Sequence, residues 1–146
     1  MTFREIVTTQ LTSSPVSEVN LLYLQSQIKH PIPKEYIDLL QIADGGLWNN
    51  QRVIMYSCGN ILPIDDQILE ANRNRQDAPL FFIGRFAENE FGYDLKGISS
   101  ETKPIFVFDH ENEEIHEIAT DLIDFFNKFS RPLEEKQKKW FSFLFN

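Results

Sequence analysis

The stretch from Leu80 to Phe129 constrains this chain most. Leu80-Phe81-Phe82-Ile83 is an apolar run stopped by Gly84, Gly92-Tyr93-Asp94-Leu95 is a second short run, and Ile105-Phe106-Val107-Phe108 follows Pro104. Runs of this length, rich in aromatic and β-branched side chains and punctuated by Gly and Pro, predict strands. The first and third are apolar at every position, which predicts interior strands of a sheet covered on both faces. After a turn over residues 111–114, Ile115 to Ala119 continues or re-enters the sheet. Thr120 then caps a helix whose inward face is Leu122, Ile123, Phe125, Phe126 and Phe129. The rest of the chain braces this sheet or covers it.

With 146 residues the chain is one domain by length and can bury a real core. Hydrophobic residues make up 42%, with Phe at 13, which excludes a disordered chain. No run approaches the ~18 apolar residues of a membrane span, so no membrane association is expected. Met1-Thr2-Phe3-Arg4-Glu5 carries neither a long apolar region nor a small-residue cleavage site. The single cysteine, Cys58, excludes an internal disulfide. Together these predict a cytoplasmic protein.

The net charge of -8 is unevenly spread. From Glu88 to Asp124 there are eleven acids against Lys96 and Lys103, a net of 2 - 11 = -9. The remainder, with 12 basic and 11 acidic residues, is near neutral. A concentration of acid repels nucleic acid, whose binding needs a basic surface. It attracts a basic partner and speeds the encounter. The plainer use of such charge is to keep a Phe-rich domain soluble.

Upstream, residues 1–13 predict a short helix or an ordered lead-in. Ser14-Pro15 has the form of a helix start, and Leu21, Leu22, Leu24 and Ile28 fit one face to about residue 29. His30-Pro31-Ile32-Pro33 breaks that helix. Pro33 opens the next, with Tyr36, Ile37, Leu39, Leu40 and Ala43 inward, and Asp44-Gly45-Gly46 closes it. Arg52 to Tyr56 predicts a strand, Ile61-Leu62-Pro63-Ile64 a short edge strand, and Asp65 or Asp66 the cap of a helix reaching about Asn74. Ser130-Arg131-Pro132 ends the helix over Phe129, and a last helix runs from about Leu133 with Trp140, Phe141 and Leu144 on one face. There is no internal repeat.

Three pieces, in this order, carry a family resemblance. They are Ile32-Pro33-Lys34-Glu35-Tyr36-Ile37-Asp38-Leu39-Leu40 running into Ala43-Asp44-Gly45-Gly46; Phe82-Ile83-Gly84-Arg85-Phe86-Ala87 followed by Gly92-Tyr93-Asp94-Leu95; and Pro104-Ile105-Phe106-Val107-Phe108-Asp109-His110-Glu111 followed by Ile118-Ala119 and the helix to Phe129. Together they resemble the SUKH superfamily, named in part after a yeast regulator of cell-wall synthesis. The resemblance covers roughly residues 15–130 of a single domain spanning 1–146, with 131–146 as a C-terminal helical extension. Ile32 stands where the pattern usually has Leu, and Asp44 where Asn is common. Residues 88–92 keep one glycine of a loop that is often glycine-rich in the family. The resemblance implies an α+β domain, with a mainly antiparallel central sheet flanked by N-terminal and C-terminal helices. It also implies a non-enzymatic binding protein without a cofactor. Bacterial members are similar to immunity proteins that bind and neutralise a toxin, commonly a nuclease. Eukaryotic members resemble adaptors in cell-wall and signalling control.

Several residues invite chemistry. Asp109-His110-Glu111 with His116 is a metal-like cluster, since carboxylate and imidazole suit zinc or iron; a solvated strand end is the plainer reading. Asp94 and Asp109 could pair for general acid–base work on adjacent strands, and with His110 they would make a metal-dependent hydrolase. Cys58 lacks a histidine near in sequence to activate it. Trp48 is either packed under a sheet edge or an interface anchor. Trp140, Phe141, Phe143, Leu144 and Phe145 make the tail apolar enough to dock on the domain or to form a homodimer or partner contact. The expectation is stoichiometric occlusion of a basic toxin domain. An acidic surface of Glu88, Glu90, Asp94, Asp109, Glu111, Glu113 and Glu114 would face the toxin, with Trp48 or a neighbouring aromatic as anchor. An adaptor or scaffold is the alternative.

Overall fold

The computed structural model describes residues 1–28, 31–58, 80–86, 89–95, 103–109, 111–112 and 114–130. Six strands form one sheet: β1 (Gly46–Leu47), β2 (Ile54–Met55), β3 (Leu80–Phe86), β4 (Asn89–Asp94), β5 (Ile105–Asp109) and β6 (Glu114–Ala119). They lie side by side in chain order and every neighbouring pair is antiparallel. Helices α1 (Phe3–Thr8), α2 (Glu18–Gln27) and α3 (Lys34–Ile42) precede the sheet, and α4 (Leu122–Phe129) follows it. This is the expected α+β architecture, a single antiparallel sheet with helices on both sides of it in sequence. The apolar runs of β3 and β5 occupy interior positions of the sheet; the Leu80–Ile83 run of β3 is buried on both faces as expected, whereas in β5 Phe106 and Phe108 are only half-buried, so coverage of both faces does not extend to it.

Side-chain alternation divides the sheet. Phe81, Tyr93 and Ile105 are register partners in adjacent strands and all are buried beneath the helices. Phe86, Phe91, Phe125 and Phe129 form one aromatic cluster, with centroids 4.7 to 5.8 Å apart. Tyr36 of α3 sets its ring edge-on to Phe81 at 5.4 Å. On the opposite face, Phe82 and Phe108 meet edge to face at 6.3 Å beside Gly92. A Cβ on Gly92 would run into the backbone carbonyl of Phe81, so the close approach of β3 and β4 requires glycine there. Ile123 is 43% exposed, contrary to its expected inward position. Leu122, Phe125, Phe126 and Phe129 already fill the inward arc of α4, and residue 123 falls outside it.

The N-terminal third departs most from the local pattern. Helix α2 begins at Glu18, with the Ser17 hydroxyl accepting from the Asn20 N–H, and not at Ser14-Pro15. Tertiary bonds decide this. The Val16 N–H donates to the Leu40 carbonyl at 2.8 Å, and the Asp44 N–H to the Ser14 carbonyl at 2.9 Å, so residues 14–16 run extended against the end of α3. Leu24 is buried as expected, whereas Leu22 is 60% exposed, correcting its assignment to the core face. Helix α3 ends at Ile42 with Ala43 extended (φ -151°), not with a left-handed glycine cap; Gly45, at φ +76°, lies past the cap, where a Cβ would come within 2.5 Å of the Ser57 nitrogen. The strand expected over Arg52 to Tyr56 is confined to Ile54–Met55. The expected strand over 61–64, helix over 65–74 and terminal helix from Leu133 lie outside the described residues.

Candidate functional site

Two hairpins decide where the acidic residues meet. β3 turns into β4 across the pair Phe86 and Asn89, and β5 into β6 across Asp109 and Glu114. Because Phe91 is in register with Val107, both turns open at the same end of the sheet. Glu90, Asp109, Glu111 and Glu114 are thereby gathered at that end. Asp94, in register with Leu80, stands at the other. Asp94 and Asp109 therefore cannot share a proton, although their strands are neighbours, and the general acid–base pairing is excluded by register. Glu88, His110 and Glu113 lie outside the described residues.

The gathered acids differ in task. Glu90 is buried and sits opposite Arg85 across the β3–β4 ladder. Next to them the Tyr56 hydroxyl is pushed up to about 12, by burial first and then by the Glu90 charge, with Arg85 opposing. Asp109 is also buried and organises the turn: Oδ1 accepts from the Glu111 N–H at 3.0 Å and Oδ2 from the Asn112 amide at 2.8 Å. The Asn112 side-chain bond leads the effects that hold the Asp109 carboxyl below its ordinary value. Glu111 and Glu114 are the exposed carboxylates, with His116 Nε2 3.7 Å from Glu114 Oε2. Among the described residues no three His, Cys, Asp or Glu side chains converge as a metal site.

Trp48 lies in the core. It is 1% exposed, stacked on Phe126 at 4.7 Å and edge-on to Phe125 at 5.6 Å, so it presents no ring to a partner. Cys58 is likewise buried, its thiol donating to the Asn20 carbonyl at 3.3 Å. Burial, reinforced by Asp44, pushes the thiol up to about 11, which keeps it protonated and unreactive at neutral pH.

One polar centre escaped sequence reasoning. Glu35 Oε2 accepts the Tyr93 hydroxyl at 2.6 Å and the Leu122 N–H at 3.0 Å, and Lys103 Nζ lies 3.8 Å from Oε1. A single carboxylate thus joins α3, β4 and the first turn of α4. Burial pushes the Glu35 carboxyl up, against the two hydrogen bonds and Lys103, with Asp121 adding to the rise. In sequence, an acid in the first turn of a helix reads as a solvated residue, and partners 58 and 87 positions away leave no local signal. Its chemistry is that of a structural joint.

Among the described residues, no helix is long and apolar enough to cross a membrane. Residues 15–128 match the model of the SMI1 / KNR4 family (SUKH-1). No curated protein matches the chain.

Proposed function

The chain belongs to the SMI1 / KNR4 family (SUKH-1), whose membership supports a non-catalytic, protein-binding role, and from that premise we propose that it is a cytoplasmic immunity protein that occludes a basic toxin domain. The observation that carries this reading is the meander register, which collects Glu111 and Glu114 at one end of the sheet. Glu88 and Glu113 belong to the same two connections in sequence. Glu90 and Asp109 stand behind them as framework: one faces Arg85, the other shapes the turn. Charge at this end sets the encounter rate and rejects acidic partners, while packing sets the lifetime of the complex. Trp48 in the core and Asp94 at the far end lie outside this contact, so the apolar anchor is a different side chain.

The test is association with a toxin-like C-terminal domain, held in an inactive form, should a neighbouring reading frame encode one. Replacing Glu88, Glu111, Glu113 and Glu114 with Gln should slow association by about tenfold or more at low salt and flatten its salt dependence. An unchanged association rate would remove the acidic end from the mechanism. Failure to bind that toxin, together with capture of unrelated cellular proteins, would favour an adaptor instead.

A further inference from the structure

The sheet carries a second apolar cluster, on the face turned away from the helices. Alternation places Leu80 and Phe82 of β3, Gly92 of β4, Phe106 and Phe108 of β5 and Ile115 of β6 there. Together they line one hollow. Phe106, Phe108 and Ile115 are half-buried. Leu80 and Phe82 are only 4% and 3% exposed, yet they stand outside the core that the helices close over. The inward side chains of α1 to α4, among them Val7, Leu24, Tyr36 and Phe125, belong to that other core. The cover of this face is therefore a different part of the chain or a partner.

We propose that the chain's own C-terminal segment, Leu133 to Asn146, lies along this face as a helix, with Trp140, Phe141 and Leu144 over Phe82 and Phe106. Charge selects this occupant. The face carries Arg85 against Glu90, Asp94 and Glu117, a net of 1 - 3 = -2. Residues 131–146 carry Arg131, Lys136, Lys138 and Lys139 against Glu134 and Glu135, a net of 4 - 2 = +2. Residues 59–79 carry Arg73 and Arg75 against Asp65, Asp66, Glu70 and Asp77, a net of 2 - 4 = -2, and would meet like charge. Residues 96–102 offer one large apolar side chain, Ile98. Position agrees with charge. Helix α4 ends at Phe129, whose ring lies 4.8 Å from Phe86, at the hairpin end of the sheet. The tail starts from that end, where Glu90 stands. Its lysines come first, beside the acid, and its aromatic residues follow, over the apolar hollow. A helix over 133–146 spans about 21 Å. A six-residue strand such as β4 spans about 20 Å, so the tail runs the length of the sheet.

Tryptophan emission of the full chain tests this. Trp48 is buried in the core, so the difference between wild type and Trp140→Phe isolates Trp140. Trp140 should emit to the blue of an exposed indole and resist acrylamide quenching, equally at low and high protein concentration. Phe106→Asp should shift that emission to the red and open it to the quencher, whereas Leu22→Asp, on the exposed side of α2, should leave it unchanged. Should Phe106→Asp fail to fold, Phe106→Cys with Phe141→Cys reads the same contact. That pair should form an intramolecular disulfide on mild oxidation about tenfold or more faster than Tyr23→Cys with Phe141→Cys. An exposed indole at residue 140, emission indifferent to Phe106→Asp in a folded protein, or equal cross-linking in the two pairs would overturn the proposal. So would a red shift on dilution, which would make the cover the tail of a second copy.

Discussion

At the scale of single residues, Glu35 ties three elements together through one carboxylate. Its Oε2 atom satisfies both the Tyr93 hydroxyl and the first free N–H of α4. Glu35→Ala leaves both donors unpaired in a largely buried place and should cost about 2–4 kcal/mol of unfolding free energy. Glu35→Gln keeps an oxygen that can accept both bonds and should cost less than about 1 kcal/mol at neutral pH. The sign of the pH dependence distinguishes a buried charge from a mere hydrogen-bond acceptor. The carboxyl is raised above its ordinary value of 4.5, so the folded state holds the proton more tightly than the unfolded state. Its contribution is therefore fully present below the unfolded value and is lost as pH rises through the folded one. Denaturant titrations at pH 7 and near pH 4 should show wild type gaining on Glu35→Gln at the lower pH; the opposite slope would reject the buried-charge account. Sequence reasoning could not see this residue, because its partners arrive from two distant elements. Trp48 posed the reverse problem: loop position and residue type allowed packing or recognition, and only the stacking on Phe126 decides between them.

Elements defined by their own pattern were legible, and elements adjusted by their neighbours were not. The aromatic runs of β3 and β5 and the helix over Phe125 to Phe129 carry enough local signal to be placed correctly. The start of α2 was displaced because backbone bonds to Leu40 and Asp44 hold residues 14–16 extended. Helix α4 shows how such adjustment also secures an element. At its N-terminus Asp121 accepts from the Asp124 N–H at 2.8 Å, and Asp124 reaches back to the Thr120 N–H at 2.9 Å. At its C-terminus the Phe129 carbonyl accepts from the Asn50 amide at 2.8 Å and from the Arg52 guanidinium. The guanidinium also complements the negative end of the helix dipole. Arg52→Ala should destabilise the fold by about 1–2 kcal/mol and raise hydrogen exchange selectively in the last turn of α4. Unchanged exchange there would show that the Arg52 guanidinium does not hold the helix end.

Across the whole molecule, the concentration of acid was visible in the sequence, but its placement was not. Composition gives the -9 between Glu88 and Asp124, whereas only strand register decides that Asp109 and Glu90 share an end and Asp94 does not. Clustering like charges has a thermodynamic consequence independent of any partner: the folded state brings together carboxylates that the unfolded chain keeps apart. Among the described residues, the pairs Lys34 with Asp38 at 3.0 Å and Lys128 with Asp124 at 3.1 Å are partly exposed i, i+4 pairs, worth little. Repulsion should therefore dominate the response to salt. Raising ionic strength shortens the screening length from about 30 Å at 0.01 M to about 8 Å at 0.15 M. The melting temperature at neutral pH should rise over that interval by on the order of 2 °C. The quadruple Gln variant of Glu88, Glu111, Glu113 and Glu114 should start higher and respond less. A melting temperature that falls with salt would mean that attractive pairs outweigh the acidic end. The acidic residues would then act as a solvated surface, without the stored repulsion that a basic partner would relieve on binding.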